Sequence, residues 1–203
     1  WSISSLSFPD LLQKKIEAAA AAGFRGIEIF HEDLIYCGVK ASRIAKFARS
    51  LGLEIISLQS LREYEAAPAA ARDWNRRRSD RTLDLAADLG AAMLVVCSNA
   101  DAATDPDPAL AARDLADLAD RAAARGLKIG YEALSTGRHV RTWQQAAAIV
   151  ALAGRPNLGL VLGTAHTVFA DGSFDGLDGL DPARLFLVHL ADVPNMRMDA
   201  RLL

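Results

Sequence analysis

Residues 122–132 read AAARGLKIGYE, a pattern in which an alanine-rich helix end is followed by a glycine and then by an apolar strand. The pattern recurs as AAAAAGFRGIEIF at 18–30, ARSLGLEIISL at 48–58 and AADLGAAMLVV at 86–96. Alanine favours helix, and a glycine just past a helix end readily takes the left-handed conformation that stops it. The near-continuous apolar run after each glycine is typical of strands buried on both faces, as in parallel sheets.

Strands and helices alternate along the chain, which predicts βαβ units with right-handed crossovers. A (β/α)₈ barrel has eight such repeats in roughly 250 residues. The 203-residue chain is therefore predicted to be an α/β protein, a TIM (β/α)₈ barrel truncated after its seventh strand, with residues 1–203 forming one incomplete barrel domain. A doubly wound open sheet is the alternative. The predicted strands are 3–7, 26–30, 54–60, 92–98, 127–134, 158–166 and 185–192, and the predicted helices are 10–22, 40–51, 74–89, 108–125 and 142–153.

The composition excludes several classes of protein. Hydrophobic residues make up 51% of the chain and charged residues 24%, which argues against disorder. The net charge of -2 leaves no basic excess to neutralise phosphates, so no nucleic-acid partner is expected. Two cysteines cannot form a disulfide framework. Apolar runs stay below the roughly 18 residues of a membrane helix, and no signal peptide is evident, so we expect a cytoplasmic protein without a membrane partner.

Polar side chains gather at the carboxyl ends of the predicted strands, where barrel enzymes carry their active sites. All four histidines belong to this set and none lies in a predicted helix, which favours one shared site. A buried carboxylate such as Glu132 requires a cation or a metal, and a neutral His189 beside it would be a good ligand for a divalent metal. The set comprises Glu28, His31, Gln59, Arg62, Ser98, Asn99, Glu132, Arg138, His139, His166, His189 and Asp192.

Several of these residues also have a purely structural interpretation. Glu132 could form a buried salt bridge, His189 could be a hydrogen-bonded core residue, and His166 could cap the segment that follows it. Cys97 is interpreted as a small buried apolar residue. Arginine matches a carboxylate bidentately, so arginines near the site would bind an anionic substrate. Three residues could equally be solvated loop residues: Arg62, Arg138 and His139.

Six segments spread along nearly the whole chain carry a family resemblance. They are AAAGFRGIEIFHEDLIY, LGLEIISLQSLREYE, LVVCSNA, LAARDLADLADRAAARGLKIGYEALSTGRHV, RPNLGLVLGTAHT and RLFLVHLADVPNMRMD. The chain resembles the xylose-isomerase-like TIM barrels of the sugar phosphate isomerase/epimerase superfamily and, within it, the bacterial 3-dehydroshikimate dehydratases. The segments YEALSTGRHV and VCSN are specific to that subgroup, whereas the strand pattern is common to the superfamily.

The resemblance implies a lyase that converts 3-dehydroshikimate, a small anionic cyclic substrate, to protocatechuate. It also implies a divalent metal, Mg²⁺, Mn²⁺ or Co²⁺, held at the barrel mouth by ligands that include Glu132 and His189. Gly163 stands where relatives carry an Asp ligand, and a further Glu ligand on strand eight is expected beyond Leu203. Because oxygen-rich metal sites need several carboxylates, this chain is expected to bind metal poorly and to be impaired in activity.

The resemblance further implies that His166 and Glu132 are catalytic. It implies that Arg62 and Arg138 bind the substrate carboxylate. Two alternatives remain open: a sugar isomerase or epimerase of the same superfamily, and a non-catalytic remnant that binds a ligand or a partner. The unpaired edges of strands one and seven are open to pairing with another copy, which would give a homo-oligomer. The full implied substrate-binding set is Glu28, Gln59, Arg62, Ser98, Arg138 and His139.

Overall fold

The computed structural model describes residues 1–193, which contain one sheet of seven parallel strands with helices between them. The strands lie in chain order, and each pairs in parallel with the next. This order confirms the predicted barrel arrangement and excludes a doubly wound sheet, in which the strand order reverses at a switch point. The strands are β1 (Ser2–Ser4), β2 (Gly26–Phe30), β3 (Glu54–Leu61), β4 (Met93–Cys97), β5 (Lys128–Glu132), β6 (Leu158–Gly163) and β7 (Leu185–His189).

Helices follow the first six strands, and several end at the predicted glycines. Gly90 and Gly154 have φ angles of 69° and 63°, so each ends its helix in the left-handed conformation that glycine adopts without steric penalty. Among residues 1–193 no helix is long and apolar enough to cross a membrane. The helices are α1 (Leu12–Ala21), α2 (His31–Tyr36), α3 (Ala41–Ser50), α4 (Ala69–Leu89), α5 (Pro108–Ala123), α6 (Trp143–Ala153) and α7 (Thr164–Ala170).

The structure corrects the sequence prediction at two short helices. The strand predicted to run through His166 ends at Gly163, and α7 follows it immediately. Helix α2 begins directly after β2 at His31, so two of the four histidines lie in helices, contrary to the prediction that none does. Helices of six or seven residues contain fewer than two turns, too few to show a helical period in the sequence. The last of the six segments with the family resemblance begins at Arg184. Its final residues, 194–199, lie outside the described residues.

Alternate residues of the central strands face opposite sides of the sheet. In β4, Leu94 and Val96 join the large apolar cluster between sheet and helices, whereas Met93 and Val95 join a smaller cluster on the other side. Val161 of β6 lies in that smaller cluster, inside the barrel. Burial on both faces explains why these strands are continuously apolar and not alternating.

The loop between β3 and α4 is held by a buried carboxylate, that of Glu65, whose residue is only 2% exposed. Its Oε1 accepts hydrogen bonds from the backbone N–H of Asn99 (2.6 Å) and from the hydroxyl of Tyr131 (2.9 Å). Its Oε2 is buried and has no hydrogen-bond partner among the described residues. Burial therefore outweighs the hydrogen bonds and raises the pKa of Glu65 from 4.5 to about 7.

This raised pKa makes the stability of the chain depend on pH. Between the two pKa values the unfolded chain releases the Glu65 proton and the folded chain retains it, so rising pH favours unfolding. Relative to a Glu65→Gln variant, the free energy of unfolding should fall by on the order of 3 kcal/mol between about pH 4 and about pH 8. Urea denaturation of both proteins across that range measures the difference. A difference that stays constant with pH would contradict the raised pKa.

Candidate active site

A cavity of about 810 Å³ opens at the carboxyl ends of the strands and extends along the gap between β1 and β7. Of the residues predicted for the site, six line it together with Gly163. Cys97 and Leu134 also line this cavity. The six are Glu28, Gln59, Arg62, Glu132, His166 and His189.

His189, the last residue of β7, lies between two buried carboxylates. Its Nδ1 is 2.8 Å from Oε1 of Glu132, and its Nε2 is 3.2 Å from Oε2 of Glu28. Ser57 of β3 donates a second hydrogen bond to Oε2 of Glu28, at 2.6 Å. Because carboxylates only accept hydrogen bonds, both ring nitrogens of His189 donate, and the ring is an imidazolium.

The contacts of this site shift the pKa values of His189 and Glu28 in opposite directions. Burial by itself lowers the pKa of His189, but the hydrogen bonds and charges of Glu132 and Glu28 outweigh burial and raise it to about 10. Burial by itself raises the pKa of Glu28, but its hydrogen bond to His189 and the charge of that ring lower it below the usual value. One cation thus compensates two buried anions, as burial of charge requires.

Gly163 ends β6 directly beside this triad, the name used below for Glu28, His189 and Glu132. A Cβ atom at position 163 would lie 2.6 Å from Oε1 of Glu132 and 3.2 Å from Cδ2 of His166. The first distance is too short for a real contact, so any larger residue at this position would move the Glu132 carboxylate. The absence of a side chain at Gly163 is therefore what allows Glu132 to reach His189.

His166 lies in the first turn of α7 and also lines the cavity. Its Nδ1 accepts the backbone N–H of Ser135 at 3.3 Å, and the Ser135 hydroxyl is 3.2 Å from the same nitrogen. An Nδ1 that accepts leaves the proton of a neutral ring on Nε2. Burial, partly opposed by the charge of Glu132, lowers the pKa of His166, so the neutral form prevails. His166 therefore offers a hydrogen-bond donor to the cavity.

Three residues predicted to bind substrate lie away from this cavity. The hydroxyl of Ser98 accepts the backbone N–H of Leu134 at 2.9 Å and so fixes the loop after β5. Arg138 is exposed, and its backbone N–H donates to the carbonyl of Asn99. His139 contacts the carbonyl of Thr104 and lines a separate cavity.

The four histidines therefore do not form one shared site. The structure brings together only His166 and His189 in the central cavity, and His31 does not line it. Of the two arginines proposed for the substrate carboxylate, only Arg62 lines it, with its Nε 3.3 Å from the hydroxyl of Ser60.

Two serines of the site were missed by the sequence analysis. Ser57 interrupts the apolar run of β3 and pairs with Glu28 in the sheet register, so its position in an apolar strand was a usable signal. Ser135 follows β5 in a loop, and no periodic pattern predicts its contact with His166. Cys97 is buried at the end of β4, as its interpretation as a small buried apolar residue expects, and burial raises the pKa of its thiol to about 12.

A family model described as xylose isomerase-like TIM barrel matches residues 16–201. The chain belongs to this family. It is 43% identical over 198 residues to a 3-dehydroshikimate dehydratase of Pseudomonas aeruginosa, a match that covers 98% of this chain and 31% of the relative. The chain thus spans about a third of the length of that curated relative. The predicted resemblance to the dehydratase group is confirmed.

Two solved structures agree with the fold. A fusion protein of a xylose isomerase-like TIM barrel and a 4-hydroxyphenylpyruvate dioxygenase superposes with a TM-score of 0.94 at 38% identity, covering 98% of this chain and 32% of that chain. The IOLI protein, solved with a bound zinc atom, gives a TM-score of 0.82 at 20% identity over 93% of this chain and 71% of that chain. At that identity the second likeness concerns the fold alone.

The contact that Gly163 permits can be tested by adding a single methyl group. Gly163→Ala should displace the Glu132 carboxylate from His189 and lower the free energy of unfolding by about 1–3 kcal/mol, because two buried charged groups lose a hydrogen bond. Gly179→Ala is the matched control, since nothing lies within 4 Å of the added Cβ there. Chemical denaturation and a crystal structure of Gly163→Ala measure the effect. Equal stability of the two variants, with Glu132 still on His189, would overturn the assignment.

Proposed function

We propose that this chain forms the barrel part of a lyase that dehydrates 3-dehydroshikimate to protocatechuate. The observation that carries the proposal is the 43% identity to a 3-dehydroshikimate dehydratase over 98% of this chain. The cavity supports it, because its volume of about 810 Å³ suits a small ligand. Carboxylate, imidazole and guanidinium groups converge there on a space that an anionic cyclic substrate can occupy.

The reaction removes a ring proton that the conjugated ketone makes acidic and expels a hydroxyl group as water, which leaves an aromatic ring. We assign proton removal to the carboxylate of Glu132, which lines the cavity. His166 donates from Nε2 to the departing hydroxyl group, because its Nδ1 is held by Ser135. In each turnover Glu132 accepts one proton and His166 donates one. His166 therefore regains its proton from Glu132 or from solvent before the next turnover.

The family resemblance also implies a divalent metal, for which Glu132 and His189 are the candidate ligands of this chain. Their present arrangement does not fit an ion, because both ring nitrogens of His189 are hydrogen-bonded to carboxylates. Position 163 contributes no side chain, and within residues 1–193 no three His, Cys, Asp or Glu side chains are placed to hold a metal together. A bound Mg²⁺, Mn²⁺ or Co²⁺ would require Glu132 to leave His189 and further ligands to be supplied.

Restoring a carboxylate at position 163 tests both the metal and the reaction. Gly163→Asp should push Glu132 off His189 and add a ligand, raising Mn²⁺ affinity and protocatechuate formation at least 10-fold over the slow native chain, which corresponds to about 1.4 kcal/mol. Gly163→Ala is the matched control, since it displaces Glu132 without adding a ligand and should show neither gain. Calorimetric Mn²⁺ titration and ultraviolet absorbance of the aromatic product provide the two measurements.

The remaining outcomes separate the alternatives. Product from the native chain that persists in Glu132→Gln would show that the base is misassigned. Epimerisation or isomerisation of a ketose, with no action on 3-dehydroshikimate, would favour the sugar isomerase or epimerase. Saturable substrate binding without product in any variant would favour a remnant that binds and does not turn over.

The two arginines give a direct comparison. Arg62→Ala should weaken binding of 3-dehydroshikimate by roughly 10-fold or more, because a charged hydrogen bond to the substrate carboxylate is lost. Arg138→Ala should leave affinity unchanged, since Arg138 does not line the cavity. Isothermal titration with the substrate measures both variants. An equal loss in both would mean that the loop carrying Arg138 moves into the cavity, contrary to the placement described above.

A further inference from the structure

The loop between β3 and α4 begins with Arg62, the arginine that lines the central cavity. Both Arg62 and the next residue, Glu63, are exposed, so burial does not fix their conformation. Glu63 has a φ angle of 53°, in the left-handed region that is unfavourable for a residue with a Cβ atom. A strained conformation persists only where surrounding contacts hold it. The contacts that hold this turn therefore also affect where the Arg62 side chain points.

Two side chains of α4 supply these contacts. Nη2 of Arg78 donates to the carbonyl of Arg62 and, at 3.3 Å, to the carbonyl of Glu63. Nδ2 of Asn75 donates to the same Glu63 carbonyl at 3.0 Å. Positions three apart on a helix lie on one face, so Asn75 and Arg78 reach the turn together. These two side chains are called the α4 clamp below.

The α4 clamp is itself held in place. Asn75 is only 4% exposed, and its Oδ1 accepts a hydrogen bond from Nη2 of Arg78 at 3.2 Å. The ring of Trp74 lies over the Arg78 guanidinium, with 4.8 Å between the ring centroid and Cζ, which is a cation–π contact. Arg76 of the same helix pairs with the carboxylate of Asp117, as surface arginines commonly do. Arg78 is instead directed at the backbone of the loop that carries Arg62.

We propose that Asn75 and Arg78 are positioning residues of the substrate site. By holding the carbonyls of Arg62 and Glu63, the α4 clamp keeps the Arg62 guanidinium turned into the central cavity, where it meets the carboxylate of the substrate. This role rests on the proposed function, in which Arg62 binds that carboxylate. Neither clamp residue lines the cavity, so neither touches the substrate and each acts through Arg62.

Two forms of the substrate separate positioning from a general loss of structure. The methyl ester of 3-dehydroshikimate keeps the ring and removes the negative charge that Arg62 binds. Arg78→Met keeps an unbranched side chain and removes the donors. It should weaken binding of 3-dehydroshikimate by roughly 5-fold or more and leave binding of the ester unchanged, because only the acid uses Arg62. Isothermal titration of the chain, expressed with whatever flanking sequence its gene encodes, measures both affinities.

A double-mutant cycle with Arg62→Ala tests whether the clamp acts through Arg62. In that background Arg78→Met should cause no further loss of affinity, whereas Asn75→Ala in the native chain should act in the same direction as Arg78→Met. In assays of protocatechuate formation the loss should appear in KM with kcat unchanged. Arg77→Met is the matched control, since it removes the same charge from an exposed neighbour that donates to neither carbonyl, and it should bind as the native chain does.

A crystal structure of Arg78→Met tests the placement without a ligand, and Arg62 should leave the cavity in it. An Arg62 side chain that stays in place would overturn the proposal. So would unchanged affinity of Arg78→Met for 3-dehydroshikimate, an equal loss for the acid and the ester, or a further loss in the Arg62→Ala background. If the native chain does not bind 3-dehydroshikimate at all, the proposed function is wrong, and the crystal structure alone decides whether the α4 clamp holds Arg62.

Discussion

Every strand of this sheet runs in the same direction, so all strands end at one edge of the barrel, and this constraint assembles the site. His189 meets Glu132 and Glu28 there, although these residues precede it by 57 and 161 positions. The register between neighbouring strands sets the contact, because Gly163 pairs directly with His189 and Cys97 pairs with Glu132. No local sequence feature could bring the three together without the parallel topology.

The free-energy cost of burying a carboxylate is met in two different ways in this structure. Glu28 and Glu132 are charged in the interior because His189 lies between them and donates to both. Among the residues that the structure describes, no cation pairs with Glu65, and hydrogen bonds from Asn99 and Tyr131 satisfy only one of its oxygens. Burial therefore raises the pKa of Glu65 to about 7, whereas the imidazolium lowers that of Glu28. The neighbouring charge, more than the depth of burial, decides the protonation state.

The barrel order was predictable because each helix–glycine–strand unit is local and repeats. The triad was predictable in part, since Glu132 and His189 each end a strand and Glu28 lies two residues before the end of β2. The placement of Ser98, Arg138 and His139 was not predictable, because loop conformation decides whether a residue just past a strand turns into the barrel or away from it. The turn after β5 directs His139 to Thr104, on the outer side. Periodicity ends where the strand ends, so sequence patterns carry no information on that choice.

Position 163 shows how one atom can change the chemistry of a site without changing the fold. The backbone of β6 pairs on both sides regardless of the residue there, so the sheet accepts a side chain. The space that a Cβ would need is taken by Oε1 of Glu132, the far end of a flexible side chain. With glycine at position 163, the Glu132 carboxylate accepts a hydrogen bond from His189 and the triad is complete. A carboxylate at position 163 would repel the carboxylate of Glu132, so that Glu132 would turn into the cavity. The site would then carry one more negative charge, which only an added cation could compensate.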